Sequence, residues 1–139
     1  MSKKLLVIMS VLLIAVFVLS ACAKPAETAK FKACQVTDTG GVDDKSFNAT
    51  AWKGAQDAAA QLDIDVKYLE SKEVADFEKN INAFIAEKCD IIITVGFLLG
   101  DATKAAAEAN PDQKFSIVDV GYDPVIPNVL AQAFQTDEA

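Results

Sequence analysis

The sequence contains no histidine and no arginine; all 13 of its basic residues are lysines. Without histidine there is no Ser-His-Asp triad, no imidazole base and no His-ligated metal site. Without arginine there is no bidentate guanidinium clamp for a phosphate. Cysteine is also scarce. Of the three, Cys22, Cys34 and Cys89, the first ends an apolar leader, and two are too few for a zinc centre. Basic charge is short as well: from Cys22 onward 11 lysines face 20 acids, a net −9. A surface of that sign does not attract nucleic acid. No metal and no cofactor are expected, and enzyme chemistry would have to rest on carboxylates or a cysteine.

What is present begins with Lys3 and Lys4, then an apolar run from Leu5 to Leu19, then Ser20-Ala21-Cys22. A basic start, a short apolar stretch and a small-residue end make a secretory signal. The run is 15 residues, short of the roughly 20 of a membrane-spanning helix. Leu19-Ser20-Ala21-Cys22 resembles the bacterial lipobox, in which the cysteine is lipidated and becomes the new N-terminus. Residues 1–21 are thus expected to be a signal peptide. Residues 22–30, small and polar, are expected to be a flexible tether on a lipid-bearing Cys22, and 31–139 to be the folded part.

Within that part, Phe31–Thr37, Asp65–Leu69, Asp90–Val95, Phe115–Val120 and Val129–Phe134 read as strands. The run Asp90–Val95 is β-branched at every position after Asp90, the pattern of a strand buried on both faces. Phe47, Ala51, Ala55, Ala58 and Leu62 recur at helical spacing behind Ser46, a candidate N-cap. Val74–Lys88 carries Phe77, Ile81, Phe84 and Ile85 on one helical face, and Leu98–Ala109 is a third helix, closed by Asn110-Pro111. A further helix is expected to begin at Thr136. Alternating strands and helices predict an α/β fold with a mostly parallel sheet and right-handed crossovers, and the order taken for it is 2-1-3-4-5. In that order Cys34 and Cys89 fall on neighbouring strands, and both a disulfide and two small buried thiols are open.

Ligands of open α/β sheets bind beyond the carboxyl ends of the strands. There the sequence places Asp38, Gly40, Gly41, Asp43, Asp44, Phe47 and Asn48 after strand one, Gly96 and Phe97 after strand three, and Asp119 at the end of strand four. Carboxylates beside aromatic faces suit a ring-bearing, hydroxylated ligand. The bland alternatives are that Asp43 and Asp44 serve helix entry and that Phe47 is core. Asp38-Thr39-Gly40 matches the aspartic-protease triplet, but that chemistry needs two. A phosphotransferase with Asp38 as nucleophile has spacing alone in its favour. Neither glycine-rich phosphate-loop pattern is present.

The stretch from Val36 to Asn48, Val-Thr-Asp-Thr-Gly-Gly-Val-Asp-Asp-Lys-Ser-Phe-Asn, closely resembles the opening motif of the basic membrane protein family, lipoprotein substrate-binding proteins of ABC importers. Ile93–Leu98, Phe115–Asp119 and Ala133–Ala139 are similar to further family stretches, in the right order. The resemblance implies a type I periplasmic-binding fold and a purine nucleoside as ligand. It also implies the partners: an ABC permease, and the membrane through the lipid on Cys22. By motif position Asp38 would bond the base, Phe47 would stack on it and Asp119 would bond the ligand; Phe97, Asp44 and Asn48 would line or shape the cleft. Family members have two lobes, so 31–139 would be the first lobe only, carrying half a site and binding weakly alone. A ligand sensor of the same fold is the alternative function; a carboxylate-based hydrolase or phosphotransferase is the third.

Overall fold

In the computed structural model, residues 29–134 are described. Cys22 and the helix expected from Thr136 lie outside them. Five strands alternate with three helices: β1 Lys32–Val36, α1 Phe47–Leu62, β2 Asp65–Leu69, α2 Asp76–Ala86, β3 Ile91–Val95, α3 Gly100–Ala109, β4 Lys114–Val118 and β5 Val129–Gln132. A 3₁₀ turn, Phe97–Leu99, leads into α3. All pairings are parallel, as the alternation predicts, and the order is β2-β1-β3-β4-β5, the order expected. Every strand therefore ends at the same edge.

One sheet face holds the main core. Cys34 and Val36 of β1, Ile92 of β3, and Phe115 and Ile117 of β4 meet Phe77, Ile81 and Phe84 of α2 and Leu99, Ala106 and Ala107 around α3. Their alternation along each strand is the period of two that a pleated strand imposes. Thr94 points to this face as well, where its hydroxyl lies 2.8 Å from that of Thr103. Cys34 and Cys89 are joined by a disulfide, with Cα atoms 6.1 Å apart, inside the range the bond tolerates.

The other face departs from the expectation of a β3 buried on both sides. Ile92, Thr94 and Val95 are buried, but Ile91 and Ile93 are only half-buried. The reason is coverage: α1 is the only described helix on that face. An apolar trough of about 680 Å³ is left alongside it, lined by Ala33, Ile93 and Val118 below and by Phe47, Ala51, Ala58 and Phe134 beside it. On α1 only Asn48 and Ala55 are buried, and Phe47 and Leu62 are exposed. Phe47 is therefore not a core residue.

Helix ends also differ from the simplest reading. Ser46 makes no side-chain cap bond. The carboxylate of Asp44 does that work, accepting from the backbone N–H groups of Ser46 (2.8 Å), Asn48 (3.0 Å) and Ala49 (2.9 Å). The second helix is shorter than Val74–Lys88. Val74 is exposed ahead of it, and Lys88, in the left-handed region at φ 56°, ends it.

Candidate functional site

The β1–α1 loop is folded around two acids. Glu70, just past β2, accepts the Val42 N–H at 2.9 Å and pairs with Lys72 at 2.8 Å. The bond from Lys72, then that from Val42, holds the Glu70 carboxyl below its ordinary value. Its Oε1 lies only 3.0 Å from where a Cβ on Gly41 would stand, and Gly41 has φ 73°, so the loop requires glycine there. Asp44 anchors the other end. Burial raises its pKa, but the N–H bonds of Ala49, Ser46 and Asn48 outweigh this and hold the carboxyl below its ordinary value.

Asp44→Ala removes three charge-assisted bonds at a helix start and should cost about 2 kcal/mol at neutral pH. A group whose folded pKa is depressed stabilises fully above its unfolded pKa, here near 3.8, and that contribution is lost as pH falls through the folded value. Urea unfolding of both proteins should therefore show a constant gap from pH 7 to 5 that closes only in more acidic solution. A gap that does not change with pH would mean that the cap bonds do not depend on the charge of Asp44.

Between these anchors sits Asp38, one residue past Thr37 at the carboxyl end of β1. Its Oδ1 accepts from the Gly40 N–H at 2.9 Å and from Asn48 Nδ2 at 2.7 Å. The same Asn48 amide nitrogen donates to Asp44 Oδ2 at 3.1 Å. Asn48 is 1% exposed. Asp38, Asp44 and Asn48 are thus one network, in which Asn48 bridges the two carboxylates and Asp44 serves the helix cap.

Phe97 follows Gly96 at the end of β3 and is 67% exposed. It shares an open depression of about 640 Å³ with Asp119, Asp101, Tyr122 and Asp123. Asp119 lies just past β4, not within it, at φ 72°, and its N–H donates to Gln132 O at 2.8 Å. Burial, then the Asp101 carboxylate, push the Tyr122 phenol up to about 12, and its hydroxyl donates to Gly100 O at 2.8 Å. Phe47, 43% exposed, stands apart from this depression at the head of the apolar trough, its ring centroid 5.5 Å from that of Phe134. The expected residues thus share one edge but form three groups: the Asp38 network, the Phe97–Asp119 depression, and the Phe47–Phe134 pair.

Two participants were not singled out by sequence: Glu70, which shapes the loop, and Phe134, the aromatic neighbour of Phe47. Among the described residues no cluster of three or more potential ligands could hold a metal ion. Oriented carboxylates beside exposed aromatic rings can accept hydrogen bonds from a ring N–H or sugar hydroxyl and stack on a flat ring.

Residues 31–139 match the family model described as ABC transporter substrate-binding protein PnrA-like. A CD4+ T-cell-stimulating antigen of Listeria innocua is 33% identical over 135 residues, covering 87% of this chain and 38% of that protein. An ABC transporter nucleoside-binding protein of Lactococcus lactis is 32% identical, covering 86% of this chain and 37% of that one. The chain thus spans a little over a third of the length of these relatives. A solute-binding protein of an ABC transporter system from Aeropyrum pernix superposes with a TM-score of 0.72 at 30% identity, over 78% of this chain and 30% of its own. The sheet is accordingly one lobe of the periplasmic-binding type. With the model matched from Phe31 to Ala139, the chain belongs to the PnrA-like family of ABC transporter substrate-binding proteins.

Proposed function

We propose that this lobe is part of a lipid-anchored receptor that binds a purine nucleoside outside the cell and delivers it to an ABC permease. The observation that carries the reading is Asp38: a carboxylate fixed by two donors at the carboxyl edge of the sheet, with exposed aromatic rings at the same edge. Phe47 would stack on the base, Asp38 would accept from it, and Phe97 and Asp119 would meet the ligand from the neighbouring strand ends. The name of the Lactococcus lactis relative supports the nucleoside class. Relatives named as lipoproteins, such as one from Pyrococcus abyssi, support anchoring through Cys22. Among the described residues no helix is long and apolar enough to cross a membrane.

Calorimetric titration of guanosine, inosine and adenosine tests this, using the mature protein taken to the full length of its relatives. The expected result is micromolar or tighter binding. Phe47→Ala should weaken it about 10-fold or more, through lost stacking, and Asp38→Ala about 100-fold, by leaving a ligand donor unpaired. The chain ending at Ala139 should bind far more weakly. No heat with any nucleoside would overturn the ligand class.

A further inference from the structure

Asp38 carries two oxygens, and the structure treats them differently. Oδ1 has its two lone-pair directions taken by the Gly40 N–H and by Asn48 Nδ2. Oδ2 accepts no hydrogen bond from any described residue. It reaches over the end of β3, where it would stand 2.6 Å from a Cβ on Gly96, closer than side-chain atoms approach; Cγ would stand at 3.2 Å. Gly96 has φ 101°, and its N–H is fixed to Val118 O at 3.1 Å, so the backbone at this point is pinned.

Asn48 is held as tightly. Both N–H bonds of its amide go to carboxylates, Asp38 and Asp44. Its backbone N–H goes to Asp44, and its carbonyl accepts from Gln35 Nε2 at 3.0 Å. Its Oδ1 is buried without a partner among the described residues, as is Gln35 Oε1. A buried acceptor left unpaired costs free energy. It is tolerated here because the amide can face its two N–H groups to two carboxylates only by turning the oxygen away from them.

We infer that Asn48 and Gly96 are positioning residues for Asp38. Asn48 saturates Oδ1, and the bare Cα of Gly96 makes room for Oδ2, so that one carboxylate oxygen alone is presented to the ligand. Neither residue need touch the ligand. The inference rests on Asp38 being a ligand-binding group, as proposed above, but the geometry can be tested without ligand.

The test is the variant Asn48→Asp, which keeps the shape and turns the donor into a carboxyl 2.7 Å from Asp38 Oδ1. Two carboxylates so close cannot both ionise freely, and the pair retains a proton to higher pH than an isolated acid. That proton restores a donor to Oδ1. Asp44, whose Oδ2 lies 3.1 Å from the same Asn48 nitrogen, faces the introduced carboxyl as well, so the Asp38 and Asp44 signals are read separately; Asp43, Lys45, Glu70 and Asp119 are the same in every variant.

Carbon-13 NMR of the ligand-free mature chain should show the introduced carboxyl and Asp38 titrating together, with a step above about pH 6 that Asn48→Leu lacks. An introduced carboxyl that titrates alone, leaving the Asp38 signal unmoved, overturns the inference whether or not a nucleoside binds. In inosine titrations of the full-length protein, Asn48→Leu should bind at least about 10-fold more weakly at every pH. Asn48→Asp should bind about 100-fold more weakly at pH 8 and return to within about 3-fold of the parent at pH 5. Parent binding with an Asn48→Asp profile that is flat with pH also overturns it. Absence of parent binding would sink the nucleoside reading and leave the NMR result to decide the positioning role.

Discussion

Loss of the Cys34–Cys89 bridge is expected to cost the folded lobe about 4 kcal/mol, because it closes a loop of 55 residues in the unfolded chain. Both cysteines are buried, at 0% and 3% exposure, within the main core. The bridge ties β1 to the turn just ahead of β3, towards the end of the sheet away from the loops that carry Asp38 and Phe97. Its removal should therefore lower stability and leave the geometry of the ligand edge alone. Urea unfolding of the oxidised protein, compared with Cys34→Ala/Cys89→Ala, measures the first. The carboxyl NMR of Asp38 measures the second. A loss under about 1 kcal/mol, or two free thiols titrated in native oxidised protein, would show that the bridge does not constrain the chain. An exported protein can keep such a bond, and an intracellular one ordinarily cannot.

Most of the fold was legible because the patterns that encode it are local. A run such as Ile91-Ile92-Ile93-Thr94-Val95 cannot be amphipathic at helical spacing, and Phe77, Ile81 and Phe84 cannot all face one side of a strand. Right-handed crossovers fit the order of the sheet but do not select it. What local pattern cannot carry is what covers an element from far away in the chain. The spacing of Phe47, Ala51, Ala58 and Leu62 marks a face that wants burial, but Phe47 and Leu62 are exposed and the trough beside α1 stands open. The pattern records the tendency of the helix face, and coverage is decided elsewhere.

At the ligand edge the residue types were legible and their relations were not. Asp38, Asp44 and Asn48 were all named from sequence, but their division of labour depends on which donor reaches which oxygen. Ser46 looked like the cap because it directly precedes the helix. Asp44 outcompetes it because the loop brings a charged acceptor to three N–H groups at once. Gly96 was named only as a residue following strand three, yet its bare Cα is what Asp38 leans against, a contact between residues 58 positions apart. A glycine that ends an apolar strand at the ligand edge is the only signal sequence offered for it. Phe134 lay within the family-like stretch Ala133–Ala139, but nothing there marked it as the neighbour of Phe47.

Truncating Phe84 should be as costly as losing the bridge. The ring is fully buried between α2 and the sheet, with Lys67 Nζ 5.7 Å from its centroid on one side, so Phe84→Ala should cost 3–5 kcal/mol, about the figure for a large ring whose cavity cannot collapse. Its neighbours include the disulfide: the Cys89 N–H donates to Phe84 O at 3.1 Å. Contacting residues ordinarily show coupled effects. Here the two changes act on different states. The cavity raises the free energy of the folded lobe, whereas the bridge acts chiefly by restricting the unfolded chain. A cycle pairing the milder Phe84→Leu, at about 1 kcal/mol, with the cysteine double variant should therefore be additive to within about 0.5 kcal/mol. A larger coupling would show that the disulfide holds the lobe together through native packing around Phe84, and the stabilisation by loop closure would have to be revised downward by that amount.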